Sequence, residues 1–420
     1  MKIQSSWIEA IILILLMMGS ITGAAIYIKV QQLQFFRISV IISLLWIFIY
    51  LLINKKNISL KSGYITLFSF FIISFVWMTF VSIFTLRLDL NSFVNYIILL
   101  IFLFELIFFA SKNEHLFLKV IYYSSIIMFI VMLFIASWEL LTFQHLEVSA
   151  VNDWPQYKKY TPSTFFTNPN DFSTVLVLIV YYMFIYEKII KDKLSFLLFL
   201  FIIISIAICF ITNSRISLLS IFALVVFYFI SIKNKIRTML FIFITVIGLI
   251  LLNHFNFTIF ENFINTKTTI DVKYLLEGLT FGGESTSIRM YLYLYAIYSI
   301  TRNFGLGMGL NNSSLYFDTI NDPRLGNIIN PHSYLFEILI NGGVFIFTLF
   351  FLINIIFFIF FLKKGYRLLI FAFVFYYLIL FNSSSSIFFW YHYIFYVSLL
   401  TFRYYKKVQS NKGAVKNENC

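Results

Sequence analysis

The sequence predicts an all-α polytopic integral membrane protein: a bundle of about 12 transmembrane helices with one larger external loop domain. Three observations carry this. Of 420 residues, 61% are hydrophobic and only 12% charged, against about 25% charged in soluble domains. Many apolar runs reach 17 residues or more, enough helix to cross a hydrocarbon core ~30 Å thick. The runs are continuously apolar and do not alternate, which excludes a transmembrane β-barrel.

The predicted spans are 7–28, 38–53, 64–85, 92–110, 119–140, 171–186, 195–212, 215–232, 238–253, 343–362, 367–381 and 386–402. The first follows Lys2, is too long for a signal-peptide core and has no convincing cleavage site, so it reads as a retained span. Every even-numbered span is followed by basic residues: Lys55, Lys56 and Lys61; Lys112 and Lys119; Lys188, Lys191 and Lys193; Lys233, Lys235 and Arg237; Lys363, Lys364 and Arg367; Arg403, Lys406 and Lys407. The positive-inside rule then places both termini in the cytoplasm. Lys29 and Arg37, around the first external loop, run against it.

The formal net charge of +13 is this loop bias and not a nucleic-acid surface, so no nucleic-acid partner is expected. Cys209 and Cys420 stand far apart, with no CxxC and no zinc spacing, which argues against thiol redox or metal chemistry. There is no internal repeat.

Two connections exceed the short-loop pattern, and both fall outside. One is Leu141–Asn170, with the run Trp154-Pro-Gln-Tyr-Lys-Lys-Tyr160; the other is Asn253–Gly343. Long ordered loops more often carry function. The chain thus divides into 1–253 (nine spans and the smaller loop), 254–342 (the external loop domain), 343–405 (three spans) and 406–420, a polar tail expected to be disordered. The apolar stretch from Tyr334 to Leu362 is too long for one upright span and is interrupted by Asn341-Gly342-Gly343. It is expected to split into a short helix, 332–340, lying on the outer leaflet, and a true span, 343–362.

Few side chains outside can do chemistry. Arg215 sits in the tight hinge Ile211–Ile216, and a cation there either reaches lipid phosphates or forms an anion site, for which a guanidinium fork is well shaped. Arg289 opens a predicted helix from Ser287 to Thr301. On it Tyr291, Tyr295, Tyr298 and Arg302 share one face, and Arg289, Tyr293 and Ala296 another. Tyrosine faces suit sugar rings and the membrane interface equally. Gly305, Gly307 and Gly309 follow no strand and have the wrong spacing for a nucleotide loop. They read as a tight turn whose amides could also help bind an anion. His332, after Asn330-Pro331, stands at a helix start in the same loop as Arg289, and imidazole suits proton abstraction near neutral pH. His115, His145, His254 and His392 read as loop or packing residues. Glu337, five residues after His332, is off the i+4 register. With no Asp-x-Asp pair and no His-Glu-x-x-His, no metal and no cofactor are expected.

These residues, in this order, resemble the O-antigen polymerase and O-antigen ligase superfamily of bacterial envelope glycosyltransferases. Phe165-Phe-Thr-Asn-Pro-Asn170, Asn213-Ser-Arg215, Ser287-Ile-Arg289 through Gly305-Leu-Gly-Met-Gly309, and His332-Ser333 followed by Gly343 resemble its successive motifs, over roughly 160–362. The family's aromatic–proline segment reads Thr301-Arg-Asn-Phe304 here, without proline, and Ile346 replaces a small or polar residue.

The resemblance implies glycosyl transfer on the outer face of the cytoplasmic membrane from an undecaprenyl-diphosphate-linked oligosaccharide. It implies Arg215 and Arg289 as cations on the diphosphate and His332 as base. Arg302, Tyr291, Tyr295, Tyr334 and Asn170 would be substrate contacts. Membrane lipid and other polysaccharide export and chain-length proteins would be partners. The acceptor is another lipid-linked repeat in a polymerase, or a different anchor such as lipid A core in a ligase. The big loop has seven acids against five Lys and Arg, which leans toward the polymerase. A lipid-linked glycan transporter would need inverted repeats and deep charges. Glu9, Glu105 and Glu139 are the candidates, and all lie near predicted span ends. A scaffold would leave the arginine–histidine set idle.

Overall fold

A computed structural model describes residues 5–23, 27–28, 33–54, 59–85, 88–154, 159–230, 285–310, 316–317, 333–362, 366–382 and 390–417. Their helices are α1 (Ser5–Thr22), α2 (Phe35–Asn54), α3 (Ser62–Phe84), α4 (Leu90–Lys112), α5 (Glu114–Thr142), α6 (Pro169–Tyr186), α7 (Phe196–Ile211) and α8 (Arg215–Ile230). After these come α9 (Ser285–Arg302), α10 (Tyr334–Leu362), α11 (Arg367–Asn382) and α12 (Tyr391–Asn417). A two-residue antiparallel ladder, β1 (Tyr27–Ile28) with β2 (Leu33–Gln34), is the only strand pairing among the described residues. Six helices, α2 to α6 and α10, are long and apolar enough to cross a membrane, and the chain is a multi-pass all-α membrane protein. The predicted span 238–253 lies outside the described residues. The others each fall on a helix.

The differences have local causes. The first predicted span, 7–28, ends early at Thr22, because Gly23 turns to a φ of +50° and its N–H closes on Gly19 O at 2.9 Å. Glycine takes this left-handed stop without steric cost. The tail expected to be disordered continues α12 to Asn417. A helix nucleated in the bundle gains one hydrogen bond for each residue added.

α6 is the axis of the bundle. All its residues from Phe172 to Tyr186 are buried, and α5, α7, α8, α11 and α12 pack around it. Outward apolar side chains such as Phe48 and Ile53 on α2, and Val76 and Phe80 on α3, are exposed, as expected for helices whose solvent is lipid tails. The short connections are capped. Asp89 accepts from the amides of Asn91 and Ser92 at the start of α4, and Asn113 accepts from Leu116 N–H at the start of α5.

Sequence-adjacent helices α3 to α8 pack against one another and run up and down. The connections 85–89, 143–168 and 212–214 therefore share one end. At the opposite end, lysines are tied into the bundle. Lys61 pairs with Glu114, Lys112 with Glu9 at 2.5 Å, and buried Glu187 accepts from Tyr122 Oη, Ser195 N–H and Ser195 Oγ. Glu105 is not near a span end as expected. It is fully buried inside α4, beside Ser43, and neither carboxyl oxygen has a hydrogen bond among the described residues.

Candidate active site

The site region is built on a broken helix. α10 is one helix only in outline: Gly343, with φ 68° and ψ −170°, divides it. That conformation belongs essentially to glycine. The break frees carbonyls on one side and an amide on the other, which in a membrane must find partners. They find them in the glycine turn. Met308 N–H donates to Ile340 O at 2.7 Å and Gly309 N–H to Asn341 O at 2.9 Å, while Val344 N–H donates back to Gly305 O at 2.9 Å. Gly305, Gly307 and Gly309 all have φ between 80° and 91°, so the turn presents its backbone edge to the break.

This corrects two expectations. Five of the six amides from Gly305 to Leu310 are spent within the protein and are not free to cradle an anion. Gly305 N–H goes to Ile300 O, Leu306 N–H to Asn303 O, and Leu310 N–H to Ser82 Oγ, besides the two into the break. The segment before Gly343 does not lie open on the leaflet either. Leu335, Glu337, Ile338, Ile340 and Asn341 are buried: Leu335 and Ile338 join the main core of the bundle, and Ile340 packs with Leu292 and Ala296 of α9.

The missing proline leaves Asn303-Phe304 to close α9. Phe304 takes a φ of 51° and is 93% exposed, and Gly305 N–H completes the stop on Ile300 O at 2.9 Å.

α9 lies parallel to the first half of α10. The Tyr293 ring stacks on Phe336 with centroids 4.1 Å apart and planes 7° apart. Further along both segments Val344 N–H donates to Gly305 O, and Leu292 and Ala296 share a buried cluster with Met308, Phe317 and Ile340. The face carrying Tyr293 and Ala296 is therefore the one turned to α10.

A second corner forms where α6 begins. Asn168 caps the helix on Asn170 N–H at 2.9 Å, with Pro169 in the first turn, where its missing amide costs nothing. One turn on, Ser173 Oγ meets Thr212 Oγ1 at 2.6 Å, tying this start to the α7–α8 hinge. Asn213 in the hinge has a φ of 53°, and Arg215 follows as the first residue of α8, exposed. Asn170, half-buried, and Arg215 thus stand at the same end of the bundle.

The approach to α6 is held from below by Glu139. Its Oε2 accepts the N–H groups of Ser163 at 2.8 Å and Thr164 at 2.9 Å. His145 Nδ1 lies 3.2 Å from Oε1, off hydrogen-bond alignment, and His145 Nε2 is 2.8 Å from Lys159 O. Thr164 at φ 51° then delivers buried Phe165 and Phe166 to the helix start.

Of the remaining residues expected at the site, Tyr295 is half-buried on α9, and its carbonyl accepts from Tyr316 Oη at 3.3 Å. Tyr334 points into the bundle, with its hydroxyl 3.3 Å from that of Tyr393. Arg289, Tyr291 and Arg302 lie on α9 by backbone, and their side chains fall outside the described residues, as does His332 entirely. Sequence reasoning passed over Trp77, Ser82 and the Glu139–His145 pair. An acid one turn from a span end was the available sign for Glu139. Nothing marked Trp77 or Ser82.

A family model described as O-antigen ligase matches residues 199–351, which contain Arg215, α9, the glycine turn and the break in α10. The chain is 25% identical over 253 residues to the teichuronic acid biosynthesis protein TuaE of Bacillus subtilis (strain 168). That match covers 58% of this chain and 50% of the relative, so the chain spans about half the length of the relative it matches. Over the matched segment the chain is similar to the O-antigen ligase family, and over 253 residues it is similar to a protein of teichuronic acid biosynthesis.

Proposed function

We propose that this protein is a membrane glycosyltransferase that polymerises undecaprenyl-diphosphate-linked oligosaccharide repeats on the outer face of the cytoplasmic membrane, with both termini inside. Arg215 and Arg289 hold the diphosphate, on which charge develops as the sugar–phosphate bond breaks; fixed cations there stabilise the transition state. His332 takes the proton from the acceptor hydroxyl as the new glycosidic bond forms. The lipid diphosphate leaves with the bonding electron pair, so neither nucleotide nor metal is needed. Asn170, Tyr291, Tyr295 and Arg302 line the path of the sugars, and the buried Tyr334 is left out of it.

The observation that carries this reading is the parallel stack of Tyr293 on Phe336. Arg289 is one helical turn before Tyr293, and His332 is four residues before Phe336. The reading requires the register of the two helices to continue over that turn, setting guanidinium beside imidazole. The second reading is a ligase, favoured by the description of the matching family.

The test is transfer by the purified full-length protein in nanodiscs, given a labelled lipid-linked repeat with and without chelator, and with and without a second anchor. A ladder from the repeat alone, unchanged by chelator, is the expected result. One transfer that requires the second anchor would establish the ligase. No product under either condition would overturn both.

A further inference from the structure

We propose that Trp77 and Ser82 on α3, outside the segment matched by the family model, are positioning residues that set the catalytic half-helix by clamping the break in α10 and the glycine turn together. Trp77 Nε1–H is shared between Gly342 O at 3.0 Å and Leu306 O at 3.3 Å, one carbonyl from each side of the joint. Its ring packs on Phe345, just past the break, with centroids 4.9 Å apart. Five residues along, about 7.5 Å of helix axis, Ser82 Oγ accepts Leu310 N–H at 2.7 Å. A β-carbon on Gly309 would overlap the Ser82 side chain and backbone, so contact there is backbone against helix.

The clamp matters because the joint is where two rigid pieces meet. Beyond Gly343, α10 is a span; before it, the half-helix carries Phe336 against α9. Of the three bonds between turn and break, two hold the turn to the half-helix at Ile340 and Asn341 and the third holds it to the span side at Val344, so the joint is one unit that still has to be set against α3. α3 packs along α10 and engages the backbone of the joint through one indole donor and one hydroxyl acceptor. Reaction geometry is sensitive to small displacements of the reacting groups. A device that acts only on placement lowers turnover and leaves substrate capture largely intact. The inference rests on the glycosyl-transfer reading for its effect on rate.

The experiment compares the full-length protein with Trp77→Phe, which keeps the aromatic plate and deletes the donor, and with Ser82→Ala. Trp46→Phe is the control, since the Trp46 indole N–H has no hydrogen bond among the described residues. Two readouts are taken: steady-state transfer from the lipid-linked repeat, and amide hydrogen exchange across 306–310 and 341–344. For Trp77→Phe the expected result is a fall in kcat of about tenfold, KM within about twofold of wild type, and exchange in those two segments faster by about tenfold. Trp46→Phe changes neither.

The exchange arm needs no substrate. If the wild-type protein transfers no sugar, the functional reading fails while exchange still decides whether α3 clamps the joint. Unchanged exchange at 306–310 and 341–344 overturns the proposal whatever the activity. So does a loss of kcat accompanied by equal acceleration of exchange throughout the bundle, which would mark a general loss of stability.

Discussion

Gly307 and Gly343 meet backbone to backbone: a β-carbon on Gly307 would stand 2.5 Å from Gly343 N and 2.7 Å from Asn341 O. Both residues have positive φ, 89° and 68°. The contact lets a turn from one segment replace the hydrogen bonds that a broken helix loses.

Gly307→Ala and Gly343→Ala are each expected to destabilise the protein severely. Backbone strain alone costs about 1–3 kcal/mol, and the overlap adds to it. Gly23→Ala is the comparison, since Gly23 also has positive φ but no neighbour within 4 Å of its β-position. Thermal unfolding followed by fluorescence size-exclusion should show a small shift for Gly23→Ala and loss of the monodisperse peak for the other two. Equal small shifts in all three would disprove the interlock.

Glu139 is expected to act on the 143–168 connection. Glu139→Ala leaves the buried Ser163 and Thr164 amides without an acceptor, at about 1–3 kcal/mol each. Glu139→Gln keeps one carbonyl oxygen and should cost less. Amide exchange over 161–168 checks this: strong acceleration for alanine, a smaller one for glutamine. No acceleration in the alanine variant would mean the loop holds by other contacts.

How much of this was legible in the sequence depends on what kind of contact is involved. Span positions follow from composition, and the break in α10 follows from length and from Asn341-Gly342-Gly343. The partner of the break did not. A backbone-to-backbone contact leaves glycines as its only trace, and three alternate glycines read equally well as a free turn. The same blindness hid Trp77, whose role is one N–H aimed at two carbonyls, and the inward aim of Tyr334. Glu105 was misjudged because an acid seven residues from a helix end looks close to the surface in sequence, yet lies about 10 Å along the axis. The Arg289–Tyr293–Ala296 face was readable from helical period, but period could not say which face meets α10.

Asp89 gives the protein a pH-dependent contribution at the end of the bundle that carries the 143–168 connection. The Ser92 hydroxyl first, then the amides of Asn91 and Ser92, hold its carboxyl below the usual carboxylate range, against an opposing effect of burial. The folded pKa is thus below the unfolded value of about 3.9. The stabilisation is complete above that unfolded value and is lost as pH falls through the folded one. Asp89→Ala should cost about 1 kcal/mol at neutral pH, and Asp89→Asn should keep the cap while removing its pH dependence. Unfolding midpoints at pH 7 and pH 3 check both. A wild-type midpoint no more acid-sensitive than that of Asp89→Asn would contradict this.

Arg215 should separate function from stability. It is exposed at the first turn of α8, so Arg215→Ala is expected to change stability by no more than about 0.5 kcal/mol. Loss of a fixed charge at the diphosphate should lower the transfer rate by about 10²–10³-fold. Arg215→Lys keeps the charge without the fork and should fall between. Full activity in Arg215→Ala would remove this residue from the site.

The juxtaposition of Arg289 and His332 is the claim on which the chemistry turns, and cross-linking in native membranes tests it most directly. Cysteines replace Arg289 and His332 in a cysteine-free background, and a thiol cross-linker of about 8 Å reach is applied, matched to the spacing of packed helix axes. The pair Tyr298→Cys with His332→Cys, with Tyr298 exposed on another face of α9, is the control. Rapid cross-linking of the 289–332 pair and little in the control is the predicted result. Equal cross-linking in both pairs, or none between 289 and 332, would contradict the account.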